Sequence, residues 1–257
     1  MQWHPSNDDN NSDDGVVIRE FTVMRDQRAV TGCLRHGPSP EPGRPLIAFG
    51  HGASGDRHQR PIHSMSRELI KDLNAFCLSI DGPVHGRRQV GAGGREAFKE
   101  EWSRPGTVED MVRDWRMTLD AILTLPEIGD GPVGYFGLSM GTIYGAPLVG
   151  AERRIRCAVL GLMGISGPDN YQPIIRSAAA RIQRPVMFLM QLEDELFDRQ
   201  SCLALFDEIA AVDKRLHANA GTHTEVPIEE LRLAREFLQT HLVGTPDKRE
   251  VMHGLSE

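Results

Sequence analysis

Ser139 stands at the centre of Gly137-Leu138-Ser139-Met140-Gly141, directly behind the apolar run Val133-Gly134-Tyr135-Phe136. A serine set between a strand and a helix must turn so sharply that the residues two before and two after it have no room for a side chain, and both are glycine here. The product of such a turn is a nucleophile elbow, with its hydroxyl exposed. A serine hydroxyl is a poor nucleophile alone; it needs a histidine base, which a carboxylate orients. Attack on a carbonyl further needs two preset N–H donors for the oxyanion, and losing one typically costs about 10²–10³ in rate. Met140 N–H supplies one donor by position, at the start of a helix whose dipole favours negative charge.

Elements must hold these groups in place. From about residue 45 to residue 242, strand-like apolar runs alternate with helix-period segments. This pattern predicts an α/β fold with a doubly wound, mainly parallel sheet and helices on both faces, built as one domain over residues 15–242. Residues 15–23 and 27–35 read as two strands joined at Met24-Arg25-Asp26, an antiparallel hairpin at the sheet edge. Residues 45–49 and 75–80 are further strands, with a helical stripe of Met65, Leu69, Ile70 and Leu73 between them. Val108, Met111, Trp115, Leu119 and Ile122 recur at helical spacing after a start at Thr107, and that helix leads into the strand before Ser139. Residues 155–163, 185–191 and 215–219 read as later strands, and Pro227 opens a closing helix with Ile228, Leu231, Ala234 and Leu238 on one face. Residues 1–14 are expected to be disordered and 243–257 to form a polar tail.

In a doubly wound sheet, ligands bind beyond the carboxyl ends of the strands. Five segments satisfy that placement: Gly50-His51-Gly52-Ala53-Ser54-Gly55, Asp81-Gly82-Pro83, Ser139-Met140, Glu193-Asp194-Glu195 and Gly221-Thr222-His223. In this order they resemble the α/β-hydrolase superfamily across residues 15–242, and most of all compact serine hydrolases of the dienelactone-hydrolase and acyl-esterase or peptidase kind. The elbow matches the family motif fully, and His51-Gly52-Ala53-Ser54-Gly55 matches its oxyanion loop. The segment opening at Asp81 resembles its D-x-x-G-x-G pattern, with Val84 and His85 as a variant.

The resemblance implies the chain order nucleophile, acid, base, so the base is sought among His217, His223, His241 and His253. Of these, His223 alone occupies a loop after a strand. Asp194 resembles the family's strand-seven acid, with Glu193, Glu195 and Asp198 as immediate rivals and Asp169 as a distant alternative. The second oxyanion donor falls to Ala53 N–H, while His51 reads as a structural residue packed beneath the loop. The implied activity is a serine hydrolase that cleaves a carboxylic ester or related acyl compound through Ser139, Asp194 and His223 by way of an acyl-enzyme. The same triad serves amides, thioesters, lactones and carbon–carbon bonds, and a non-catalytic binder of a small ligand or partner on this fold is the alternative of another class.

Two segments bear on the pocket. The insertion at 83–105, with Arg87, Arg88, Phe98 and Trp102, reads equally as a roof or as a solvent-facing loop, and the two arginines are compatible with a carboxylate-bearing substrate. The stretch 164–181 stands where a cap domain is inserted in larger relatives and is short, which implies a minimal cap and an open cleft.

Composition narrows the class of partner. The 257 residues carry a formal charge of −7 with no dense basic cluster, which argues against nucleic acid or an anionic membrane and for a small-molecule role; that the small molecule is an acyl substrate is what the resemblance implies. No signal peptide or membrane-length apolar run is visible, and the four cysteines are dispersed, so a cytoplasmic, reduced protein is expected. His58, His63 and His85 lack metal-ligand spacing, and Gly91-Ala92-Gly93-Gly94 lacks the context of a phosphate loop; no metal and no cofactor are expected.

Overall fold

A computed structural model of the chain describes residues 1–4, 15–25 and 27–244. Strand β1 (Gln2–Trp3) pairs antiparallel with β2 (Val17–Arg25), and β2 pairs antiparallel with β3 (Arg28–His36), Arg25 lying opposite Arg28. The expected hairpin is present, but β1 and not β2 forms the edge, so residues 2–3 are not loose as the polar opening suggested. A single aromatic explains the difference: the Trp3 ring meets Phe21 edge-on with centroids 5.7 Å apart, and the Arg19 guanidinium lies 3.8 Å over the indole. Residues 5–14, Asp26 and the tail 245–257 lie outside the described residues.

The remaining strands are β4 (Leu46–Gly50), β5 (Phe76–Ile80), β6 (Val133–Gly137), β7 (Ile155–Gly161), β8 (Val186–Gln191) and β9 (Lys214–Asn219). The sheet order is β1-β2-β3-β5-β4-β6-β7-β8-β9, parallel from β5 onward. Seven helices alternate with them: α1 (Arg60–Leu73), α2 (Gly94–Ser103), α3 (Thr107–Leu123), α4 (Met140–Ala151), α5 (Gln172–Ala179), α6 (Arg199–Glu208) and α7 (Ile228–Val243).

Alternation along each strand sorts the core into two layers. Ile47, Phe49, Phe136, Val159 and Leu189 face α1 and α7, whose Met65, Leu69, Phe237 and Leu238 close that side. Ala48, Leu78, Tyr135, Leu160 and Phe188 face the opposite layer, where Met111, Trp115 and Leu119 of α3 are buried. Each large apolar side chain withdrawn from water stabilises by about 1.5–3 kcal/mol, so the helical stripes are what bind these helices to the sheet. Ile228 departs from the expected α7 face: it is 71% exposed, and Phe237 and Leu242 fill the core instead. Helix α4 has no polar face; Met140 through Val149 are all buried, as a helix apolar all round must be. Its Pro147 offers no N–H to the carbonyl of Ile143, and the Tyr171 hydroxyl donates to that carbonyl in its place at 3.0 Å. The four cysteines are buried and unpaired. Among the described residues no helix is long and apolar enough to cross a membrane.

Candidate active site

The turn from β6 into α4 holds Ser139 at φ 57°, ψ −121°, a conformation that L-residues rarely adopt. Gly137 and Gly141 are not at positive φ; what they supply is space. A Cβ on Gly137 would stand 2.7 Å from the Gly141 oxygen, and one on Gly141 would stand 2.5 Å from the Gly50 oxygen. The turn is pinned from below. Ser139 N–H donates to Gly161 O at 3.0 Å and the buried Tyr135 hydroxyl donates to Gly141 O at 2.7 Å. Thr142 Oγ1 accepts from Gly161 N–H at 2.8 Å and lies within hydrogen-bond reach of the Gly137 and Gly161 carbonyls.

His223, in the loop after β9, reaches Ser139: its Nε2 is 2.9 Å from Oγ. Its Nδ1 is 2.8 Å from Asp194 Oδ2, in the loop after β8. Because a carboxylate can only accept, the ring proton sits on Nδ1, and Nε2 is left to accept the serine proton. The Asp194 side chain is 1% exposed and that of His223 is 6% exposed. Asp194 Oδ1 accepts from the amides of Leu196 and Phe197 at 2.8 and 3.0 Å, which fixes the carboxylate before it meets the imidazole.

The rival acids have other work in the same loops. Glu193 accepts from the Gly221 amide, Glu195 accepts from the His223 amide at 2.9 Å, and Asp198 caps α6 through Ser201 N–H at 2.9 Å. The His223 amide is the leading cause that holds the Glu195 carboxyl below its ordinary range. Asp169 is exposed. His217 bonds Glu230 at 2.8 Å, His241 lies 3.5 Å from Asp213, and His253 lies outside the described residues.

In the loop after β4, Gly52 N–H donates to Gln59 Oε1 at 2.8 Å and Gly55 N–H to Gly52 O at 3.1 Å, bonds in which the Ala53 amide takes no part. The Met140 amide heads α4 next to Ser139. His51 lies under the loop, its Nδ1–H donating to Gly52 O at 2.8 Å and its Nε2 accepting Gly82 N–H at 2.8 Å. Both ring nitrogens are thereby used by the neutral ring, and burial pushes its pKa down to about 4. Buried Asp81 ties the loop to the segment after β5: it accepts from Arg57 Nη1 at 2.7 Å, Thr31 Oγ1 at 2.6 Å and Arg87 N–H at 3.1 Å.

A cavity of about 680 Å³ opens over Ser139 and His223. Helix α2, in the 83–105 insertion, forms one wall with Arg95, Phe98, Lys99 and Trp102, and Ser166 and Gly167 of the short cap segment adjoin it. Leu138, Ile62, Val226 and Leu231 line the other side. The insertion therefore covers the pocket, but not with the arginines singled out from the sequence. Arg87 pairs with Glu20, and Arg88 pairs with Asp114 at 2.8 Å. Phe98 and Trp102 were named from the sequence; Arg95 and Lys99 were missed, because the i, i+3, i+4, i+7 spacing that joins the four residues, the available signal, follows a glycine-rich run. Among the described residues no group of three or more His, Cys, Asp or Glu side chains converges as a metal-ligand set.

A doubly wound sheet with a serine elbow between β6 and α4, and an acid and a histidine on two later strand ends, defines the α/β-hydrolase class. A cold-adapted esterase from an Arctic intertidal metagenomic library, solved with polyethylene glycol bound, is 32% identical over 94% of this chain and 100% of its own, with a TM-score of 0.83. The chain belongs to the α/β-hydrolase superfamily. Acetyl xylan esterase from Paenibacillus sp. R4 is 18% identical over 92% of this chain and 87% of its own, with a TM-score of 0.67. The esterase Pf2001 of Pyrococcus furiosus is 14% identical over 90% and 96%, with a TM-score of 0.68; at such identities the likeness is one of fold alone. No protein-family model matches the chain, and no curated protein does.

Proposed function

We propose that this protein hydrolyses carboxylic esters by nucleophilic catalysis at Ser139. The observation that carries the reading is the continuous Ser139–His223–Asp194 hydrogen-bond chain, at 2.9 and 2.8 Å, on a strained elbow that faces a largely apolar cavity. Ser139 Oγ attacks the ester carbonyl while His223 Nε2 takes its proton, and the imidazolium is stabilised by Asp194. The Ala53 and Met140 amides receive the oxyanion. The intermediate collapses to an acyl-enzyme as the alcohol leaves with the proton from His223. Water, deprotonated by the same nitrogen, then releases the acid and restores the serine. The esterase named among the relatives at 32% identity supports an ester over the amide, thioester, lactone or carbon–carbon alternatives.

The test pairs turnover with labelling. Wild type should hydrolyse short p-nitrophenyl esters and react with a fluorophosphonate at Ser139, and Ser139→Ala should lose labelling and at least about 10⁴-fold in kcat. A folded wild type that neither labels nor turns over any ester would sink the proposal and favour a ligand-binding role for the cavity.

A further inference from the structure

Four arginines stand in the segment 83–105, and three are committed to carboxylates: Arg87 to Glu20, Arg88 to Asp114, and Arg104 to Glu101 and Asp110. Arg95 differs. It lines the cavity over Ser139 with Lys99 one helical turn on, and among the described residues neither forms an ion pair. Arg95 adds a small share to what holds the Glu195 carboxyl below its ordinary range, and that carboxylate accepts from the His223 amide at 2.9 Å. The cavity wall holds these two cations and no Asp or Glu, in a chain whose formal charge is −7.

The same helix face carries the apolar part of the wall. Phe98 and Trp102 lie stacked at 5.8 Å and 12°, between the cations and the short cap segment. Trp102 Nε1 and Ser166 Oγ are themselves buried, so these two residues meet the cavity through their other atoms and the charged groups of the wall are Arg95 and Lys99. Apolar rings next to cations without an ion-pair partner suit a group that is hydrocarbon near the ester and anionic at its far end.

We infer that the α2 wall is a subsite for a carboxylate carried by the substrate, so that the preferred esters are those with a negative charge on the acyl or the alcohol portion. The inference rests on the ester-hydrolase reading and names its substrate class. Both cations are exposed at the mouth, so the expected discrimination is modest, about fivefold, as for two surface charge contacts.

Two isosteric substrate pairs test it. One pair is p-nitrophenyl hydrogen glutarate against p-nitrophenyl methyl glutarate, charged or neutral on the acyl side. The other is 4-carboxyphenyl valerate against its methyl ester, charged or neutral on the leaving group. The reading is the ratio of kcat/KM, anionic over neutral, whatever each neutral rate becomes in a variant. At low salt the wild-type ratio should exceed one by about fivefold in one pair, which tells the acyl side from the alcohol side. It should fall toward one in about 0.5 M sodium chloride, where screening is within a few ångströms, and in Arg95→Ala/Lys99→Ala. In Arg95→Glu/Lys99→Glu it should drop below one. A wild-type ratio of one or less in both pairs, or a preference that survives the double alanine variant, would overturn the subsite while leaving ester hydrolysis standing. A wild type that turned over neither neutral ester would overturn the hydrolase reading, and this inference with it.

Discussion

Four carboxylates lie between residues 193 and 198, and the sequence favours Asp194 with Glu193, Glu195 and Asp198 as rivals. The structure separates them by what each bonds: Glu193 and Glu195 hold backbone amides of the histidine loop, Asp198 caps α6, and Asp194 alone meets His223 Nδ1. Position after a strand narrowed the choice, but the final step depends on where two loops from different strands converge, and no local pattern encodes that. Asp194→Asn tests the assigned role sharply. Its Oδ1 can still accept from Leu196 and Phe197, so the turn should survive. Its amide group would instead present N–H to Nδ1, which drives the ring proton to Nε2 and removes the base that Ser139 needs. The expected result is a kcat lower by about 10³–10⁴ with a melting temperature close to wild type. Glu195→Ala, which frees the His223 amide and leaves Asp194 in place, should cost about tenfold or less. Equal losses in the two variants, measured with one ester, would argue against Asp194 as the orienting acid.

At the scale of elements, the parallel strands were legible because strands covered on both faces are continuous apolar runs, and α1, α3 and α7 because their stripes recur at helical spacing. Other elements were not. Strand β1 depends on Trp3, and α2 follows a glycine-rich run that masks its start. A third case is the coupling of α4 to the short cap segment, where Pro147 leaves the Ile143 carbonyl without a helical partner and Tyr171 supplies the missing donor. Tyr171→Phe should therefore strand a buried carbonyl and destabilise by about 1–3 kcal/mol. Pro147→Ala alone restores an N–H at that place. In the double variant the cost of losing the hydroxyl should shrink, a coupling readable by urea denaturation of all four proteins. Additive effects would mean that the Tyr171 hydroxyl does not stand in for the proline's absent N–H. Ile143 also lines the cavity and the Tyr171 ring packs at 5.2 Å against Trp102, so the same variants should alter KM for bulky esters.

For the molecule as a whole, acid sensitivity should be concentrated at the end of the sheet that carries Ser139. His51 is neutral in the fold, with Nδ1–H given to Gly52 O and Nε2 receiving Gly82 N–H, and burial pushes its pKa from the ordinary 6.5 to about 4. The unfolded chain takes up a proton at 6.5 that the folded chain refuses until about 4, so the stability tied to neutral His51 is fully present above 6.5 and is lost as pH falls through that window. The difference amounts to about 3 kcal/mol when complete. Burial also lowers His36 and His58, which add to the same slope, whereas Glu20, Glu101 and Glu152, held below the ordinary carboxylate range, lose their contribution only at lower pH. His58 bonds Glu20, which also pairs with Arg57, so two of the three histidines border the loop that bears Ala53. Urea unfolding from pH 7 to pH 4.5 should show wild-type stability falling steadily. His51→Gln, which has no proton to gain, should be less stable at pH 7 but show a shallower slope, the two proteins converging toward pH 4.5. Parallel curves would mean that His51 is not the buried neutral base described, and that the loop bearing Ala53 is held against acid by the Arg57–Asp81 pair alone.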